Sequence, residues 1–147
     1  MMMARNENRG EFWHQSYKLV SLTLSIIFGI VGIIFLAIPE QVLSFFNAIS
    51  LHYGLPASPT QGIGFFLILA VAYMYLVSML AFMMYKNPEN SSFPLLLING
   101  KSVSSVVSIL LIIVQSPSLI YMVNAITDGT IALGVLLLNR KIRERST

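Results

Sequence analysis

The chain contains no cysteine and few charged residues. Asp, Glu, Lys and Arg together make up 10% of its 147 residues. The missing thiols exclude disulfide bonds, thiolate metal sites, iron–sulfur clusters and cysteine nucleophiles. A soluble domain carries about 25% charged residues. The few charges of this chain could therefore not cover the surface of a water-soluble fold. Together with a hydrophobic content of 56%, the composition indicates an integral membrane protein.

Groups that commonly form active sites are also scarce. The only histidines are His14 and His52, which we expect on opposite sides of the membrane. Asp128 is the one acidic residue inside a predicted span, and no zinc-protease, nucleophile-elbow or phosphate-loop motif is present. These absences argue against an enzyme, and we expect no catalytic residue, no cofactor and no metal site. The basic residues flank apolar runs, which indicates topology rather than nucleic-acid binding.

Four long apolar runs lie at about residues 18–39, 62–85, 94–114 and 117–139. About 20 helical residues cross a hydrocarbon core of about 30 Å, so each run is long enough to span it. The first run is too long for the apolar core of a signal peptide, and no typical cleavage site follows it. The last two runs are so close in sequence that they must form an antiparallel hairpin. The sequence therefore predicts an all-α membrane protein with an antiparallel four-helix transmembrane bundle, in a single domain over residues 1–147.

The segment after the first run predicts one more helix. Within residues 39–50, Val42, Phe45, Phe46 and Ile49 recur at the spacing of one helical face. Such an amphipathic segment outside a span is typical of a short interfacial helix.

The two ends of the chain are polar. Residues 1–12 lack apolar periodicity, which predicts a disordered N-terminal tail, and residues 140–147 form a basic C-terminal tail. Both ends and the 86–93 loop carry Lys or Arg, whereas the 40–61 and 115–117 connections carry none. Because basic loops remain on the cytoplasmic side, we expect a multi-pass membrane protein with both termini cytoplasmic.

Two charged residues, Lys101 and Asp128, lie inside predicted spans. A charge at the bilayer centre costs roughly 2.5 to 3.5 kcal/mol on insertion scales, so it needs a partner, a water-filled cavity or a function. At 1.5 Å per residue, Lys101 lies about 10 Å and Asp128 about 16 Å from the same membrane side. A lysine stem spans that difference, so an ion pair is predicted. Because helical side chains lean toward their own N-terminus, the lysine would have to bend back or a water would have to bridge.

Other polar residues accompany both charges at helical spacing. We call this predicted set the polar seam; its members are Lys101, Ser105 and Ser108 in the third span and Tyr121, Asn124 and Asp128 in the fourth. Three interpretations are open. The seam could pair helices structurally, or it could line a small-molecule, ion or proton site. In the third, the lysine reaches the cytoplasmic interface alone while the aspartate is protonated or bonded to Asn124.

The functional prediction follows from these patterns. We interpret the chain as a small polytopic membrane protein that acts as a non-catalytic binding or accessory subunit. The alternative is a small transporter or proton- or ion-conducting protein that uses the polar seam. Expected partners are the lipid bilayer and either a second copy or another membrane subunit, but no nucleic acid. A stripe of small residues in the first span, Ser21, Ser25, Gly29 and Gly32, predicts close helix packing within the chain or between copies.

Overall fold

Five α-helices make up most of this computed structural model, which describes residues 2–59, 64–115 and 117–144. They are α1 (Met2–Ala37), α2 (Pro39–His52), α3 (Gly64–Lys86), α4 (Ser92–Val114) and α5 (Leu119–Arg143). Within the described ranges the chain forms no strand. The all-α class predicted from the sequence is therefore confirmed.

Four of these helices are long and apolar enough to cross a membrane. They are the Glu11–Ala37 part of α1 and the whole of α3, α4 and α5. Each coincides with one predicted span. The first apolar stretch begins at Glu11, seven residues before the predicted start at 18, and α5 continues to Arg143, four residues beyond the predicted end at 139. Residues 62–63 of the second predicted span, residue 116 and residues 145–147 of the basic tail lie outside the described residues.

The N-terminal region differs from the sequence prediction. Helix α1 begins at Met2, so the backbone is helical where residues 1–12 were predicted to be disordered. Adding residues to an existing helix needs no new nucleation, and the long apolar span of α1 supplies that helix. Met1 lies outside the described residues.

A sharp break separates α1 from α2 at Ile38. This residue has φ −138° and ψ 54°, outside the helical region, and Pro39 follows at the first position of α2. Because the proline ring disfavours helical geometry in the residue before it, α1 ends there and a new helix starts. The short helix predicted after the first span is therefore present.

Helix α2 packs on α1 and α5. Of the four residues predicted to form its apolar face, Phe45 is 62% exposed and the other three are half-buried. The buried Ser50 accepts a hydrogen bond at its Oγ from the backbone nitrogen of Leu119, at 3.2 Å. A helix N-terminus leaves backbone N–H groups without partners, so α2 satisfies one of them for α5.

The most extensive packing joins α1 to α3 and α4 to α5. A small apolar core lies where these pairs meet, and its fully buried members are Tyr17, Val77, Ala81, Met84, Leu97 and Val135. Large apolar side chains cover the outside instead; Phe66 is 68% and Val114 77% exposed. An apolar exterior of this extent is incompatible with water and fits a bilayer, whose hydrocarbon is as apolar as these side chains.

The small-residue stripe of α1 faces α3. A Cβ added at Gly29 would lie 3.4 Å from Ser78 Oγ, and one added at Gly32 would lie 3.3 Å from Met74 Cβ. The hydroxyl of Ser78 donates a 2.8 Å hydrogen bond to the carbonyl oxygen of Ser25. The stripe therefore serves close packing within the chain, the first of its two predicted uses.

Candidate functional site

Lys101 and Asp128 form a direct ion pair between α4 and α5. The lysine Nζ lies 2.7 Å from Asp128 Oδ1, and the two side chains are only 2% and 3% exposed. This distance is that of a strong charge-assisted hydrogen bond. The lysine stem bends far enough to overcome the opposite lean of the two side chains, and no bridging group is needed.

Small residues allow α4 and α5 to approach closely beside the pair. Gly129 follows Asp128, and a Cβ added to it would lie 3.1 Å from the Oγ of Ser105. Ser105 itself donates a 2.8 Å hydrogen bond to the carbonyl oxygen of Ala125. Such contacts between small residues are the usual basis of helix association in lipid.

Two aromatic rings from the other half of the bundle border the lysine ammonium. The ring centroid of Phe28 in α1 lies 3.9 Å from Lys101 Nζ, and that of Tyr73 in α3 lies 5.0 Å away. Both distances permit cation–π attraction. All four long helices therefore contribute a side chain to this one point.

Asn124 connects the seam across the two helices rather than along α5. Its Nδ2 donates hydrogen bonds to Ser104 Oγ at 3.1 Å and to Ser108 Oγ at 2.8 Å. One interpretation of the sequence had this amide bonded to Asp128 one turn away. Instead, one oxygen of the Asp128 carboxylate is bonded to the lysine, and the Asn124 amide is bonded to two serines of α4.

Two of the predicted seam residues make no hydrogen bond to the others in the described part of the chain: Ser105 bonds to the carbonyl oxygen of Ala125, and Tyr121 bonds to none of them. Tyr121 is half-buried, one turn before Asn124. The remaining five predicted residues lie together as described above. Three further residues, which the sequence reasoning missed, contact members of the seam: Phe28, Tyr73 and Ser104.

The missed residues carried little signal in the sequence. Phe28 and Tyr73 are aromatic residues in apolar spans, where such residues are common. Ser104 is adjacent to Ser105, and its spacing from Lys101, at i+3, is also that of a shared helical face. That spacing could have included Ser104 in the prediction, whereas nothing local distinguishes the two aromatic residues.

Two buried polar atoms beside the ion pair make no hydrogen bond within the described residues. They are the second carboxylate oxygen of Asp128, Oδ2, and the hydroxyl of Tyr73. Most buried polar atoms in proteins have a partner, so such exceptions require an explanation. Here, within the described chain, the carboxylate oxygen is an acceptor without a partner and the tyrosine hydroxyl is a donor without a partner, and both lie next to a charged pair.

The surface groove between α4 and α5 does not reach the charges. A groove of about 300 Å³ between α4 and α5 is lined by Ser105 and Gly129 among others, but by neither Lys101 nor Asp128. The ion pair is thus sealed from that groove by the close contact of the two helices. Among the residues that the structure describes, no group of three or more His, Asp or Glu side chains could hold a metal ion.

Comparisons with known proteins find no match for this chain among protein-family models, curated proteins or solved structures. The class of protein therefore follows from the fold and the site alone. The chain is a small polytopic membrane protein with four long apolar helices in its described residues, and its polar centre is a Lys–Asp ion pair.

Proposed function

We propose that this protein is a membrane-embedded, non-catalytic binding or accessory subunit, and that its Lys101–Asp128 pair has a structural role. The observation that carries the proposal is the burial of both charges at 2% and 3% exposure, at the point where all four long helices meet. A site for transported ions or substrates has to be reached from solution. A sealed pair is better suited to specifying which helices pack together.

The energetics of buried ion pairs support a structural role. Removing one partner of such a pair leaves an uncompensated charge and costs about 3–5 kcal/mol, whereas replacing both partners by apolar groups is often neutral. Misassembled arrangements of the four helices would therefore be disfavoured by separating Lys101 from Asp128. A polar contact of this kind selects one arrangement among apolar helices that otherwise pack with little specificity.

We infer that neighbouring helices run antiparallel. Between α1 and α3, Ser25 lies against Ser78 and Gly32 against Met74. The residue numbers of successive contacts therefore rise along α1 and fall along α3. Between α4 and α5, Lys101 contacts Asp128 and Ser108 contacts Asn124, so residue numbers again rise along one helix and fall along the other. The short connection at 115–118 agrees with this arrangement.

The proposed topology places both termini in the cytoplasm. The last turn of α5 carries Arg140, Lys141 and Arg143, and the last turn of α3 carries Lys86. Basic residues at these helix ends favour the cytoplasmic side for both. Helix α2 then lies at the opposite interface of the membrane.

The partners that suit this proposal are the lipid bilayer and either a second copy or another membrane protein. The outer faces of the long helices are broadly apolar; Phe65, Ile68 and Tyr75 of α3 are all highly exposed. An apolar face rich in aromatic side chains offers the type of surface that membrane subunits bury. We propose no nucleic-acid partner.

A second candidate function is proton or ion conduction along the polar seam. It is favoured by the buried Asp128 Oδ2 and Tyr73 hydroxyl, which lie beside the pair without hydrogen-bond partners in the described chain. Intramembrane ionisable residues with free acceptors are typical of proton pathways. The hydrogen bonds of Asn124 to Ser104 and Ser108 extend the polar seam along the two helices.

A flux assay separates the two candidates. The purified protein is reconstituted into liposomes that contain a pH-sensitive dye, and proton entry under an imposed potential is compared with empty liposomes. The structural proposal expects no flux above the empty liposomes. Flux that Asp128→Asn abolishes and Tyr73→Phe reduces, in variants that retain the wild-type helical content, would contradict it and establish conduction.

A further inference from the structure

A long apolar groove runs along the surface between α1 and α5, on the other side of α5 from the groove that borders Ser105. Its volume is about 570 Å³, and its walls include Val20 and Leu24 of α1 and Val135 of α5. Trp13 and Lys141 lie together at one end. We call this feature the α1–α5 groove.

The dimensions of the α1–α5 groove suit a lipid chain. The lining residues run from 13 to 24 in α1 and from 130 to 141 in α5. At 1.5 Å per residue, both stretches are about 16 Å long, roughly half the thickness of the hydrocarbon core. One acyl chain of a single leaflet has this length and this chemistry.

Gly134 keeps the groove open on the α5 side. A Cβ added at this glycine would have no heavy atom within 4 Å, so the residue borders open space rather than a packed neighbour. A larger side chain at this position would project into the groove. The width of the groove therefore depends on the absence of a side chain at Gly134.

The end at Trp13 and Lys141 has the chemistry of a headgroup site. Tryptophan side chains concentrate at the membrane–water interface, and basic pockets between transmembrane helices bind anionic headgroups. Lys141 Nζ lies 3.4 Å from Glu144 Oε2, with the two side chains 53% and 63% exposed. Such an exposed pair is weak, so it does not prevent a phosphate from binding the ammonium.

The surrounding charge at this end is mostly positive. Arg140 and Arg143 occupy the same last turn of α5 as Lys141, and Lys18 lies near this end of α1. Two acidic residues with described side chains, Glu11 in α1 and Glu144 after α5, are close in sequence to this end of the groove, and both are exposed. The net charge at this end therefore favours an anionic over a zwitterionic headgroup.

We propose that the α1–α5 groove is a binding site for an anionic phospholipid, with one acyl chain along the groove and the phosphate at Lys141. The site is separate from the polar seam, and it does not depend on whether the protein is an accessory subunit or a conductor. Bulk lipid would cover the groove in any case. The proposal is that this position selects the headgroup charge.

Trp13 provides a direct readout because it is the only tryptophan in the sequence. The protein is reconstituted in phosphatidylcholine bilayers that contain phosphatidylglycerol, with brominated chains on one lipid or the other. Quenching of Trp13 against the mole fraction of each brominated lipid yields their relative binding constant. We expect the wild-type protein to prefer phosphatidylglycerol severalfold.

Two variants with matched controls locate the site. Lys141→Gln should reduce the preference by about fivefold, the contribution of one basic residue near an anionic surface. Arg140→Gln removes the same charge from the same turn, but Arg140 does not line the groove, so its loss should be smaller. Gly134→Leu should reduce quenching by both lipids, whereas Gly64→Leu, also in open space but outside the groove, should not.

Three results would overturn the proposal. The first is equal binding of the two lipids to the wild-type protein. The second is an equal loss of preference in Lys141→Gln and Arg140→Gln, which would indicate a general attraction by the basic helix end. The third is unchanged quenching in Gly134→Leu. Thermal unfolding of each variant checks that the fold is retained, and Lys141→Gln tests the site even if the leucine variant fails to fold.

Discussion

Removing one charge of the Lys101–Asp128 pair should damage the fold far more than removing both. Asp128→Asn leaves a charged lysine whose side chain is 2% exposed, with the rings of Phe28 and Tyr73 and a neutral amide beside it in place of the carboxylate. Lys101→Met leaves a buried carboxylate without its 2.7 Å partner. Each single change should lower the free energy of unfolding by about 3–5 kcal/mol, the cost of breaking a buried pair.

The double variant Lys101→Met/Asp128→Asn contains neither charge, so it should recover most of that loss. Thermal unfolding in detergent, followed by circular dichroism, measures all four proteins. A loss of about 3–5 kcal/mol corresponds to a fall in the melting temperature of about 6–20 °C for a chain of this size. The double variant should melt much closer to the wild-type protein than either single variant does.

The exposed pair Lys141–Glu144 supplies a matched control, since its atoms are 3.4 Å apart and its side chains 53% and 63% exposed. The same cycle with Lys141→Met and Glu144→Gln should show a coupling of less than about 1 kcal/mol. Additive losses in the buried cycle would refute the reasoning, because independent charges do not form a pair. Single variants with wild-type stability would refute it as well, and would favour a functional role for the charges.

Three further predictions concern the surroundings of the pair and the topology. Phe28→Leu should destabilise the protein by about 1–2 kcal/mol through lost cation–π attraction, whereas Phe66→Leu on the outer face should not, as thermal unfolding would reveal. Gly129→Val should lower the melting temperature, because its Cβ would lie 3.1 Å from a serine hydroxyl oxygen of α4; unchanged stability would contradict the close approach. Since the chain has no cysteine, single cysteines at Glu89 and Tyr53 should react with an impermeant thiol reagent from opposite sides of the membrane, and labelling of both from one side would contradict the topology.

The ion pair could be predicted from the sequence because depth in a transmembrane helix is a local property. The position of Lys101 in its run and of Asp128 in the next determines how deep each lies, at 1.5 Å per residue. The short connection between the two runs makes their helices neighbours. Because an unpaired charge is costly in an apolar surrounding, the two buried charges are expected to form a pair.

The aromatic contacts of the lysine could not be predicted in the same way. Phe28 and Tyr73 belong to helices distant in sequence from Lys101, and their approach depends on how each helix is rotated about its axis. A run that is apolar on all sides contains no signal for that rotation. The same rotation decides that Asn124 bonds to Ser104 and Ser108 instead of Asp128.

The sequence by itself determined the membrane class, the four spans, the short helix after the first span and the presence of a charged pair. Each of these follows from the length of apolar runs, from helical periodicity or from the cost of burying a charge, all of which are properties of short segments. Only the tertiary structure decided which faces meet. The packing of α1 on α3, the rings beside the lysine and the groove beside Gly134 depend on the rotation and spacing of helices, which are set by the fit of all their side chains at once.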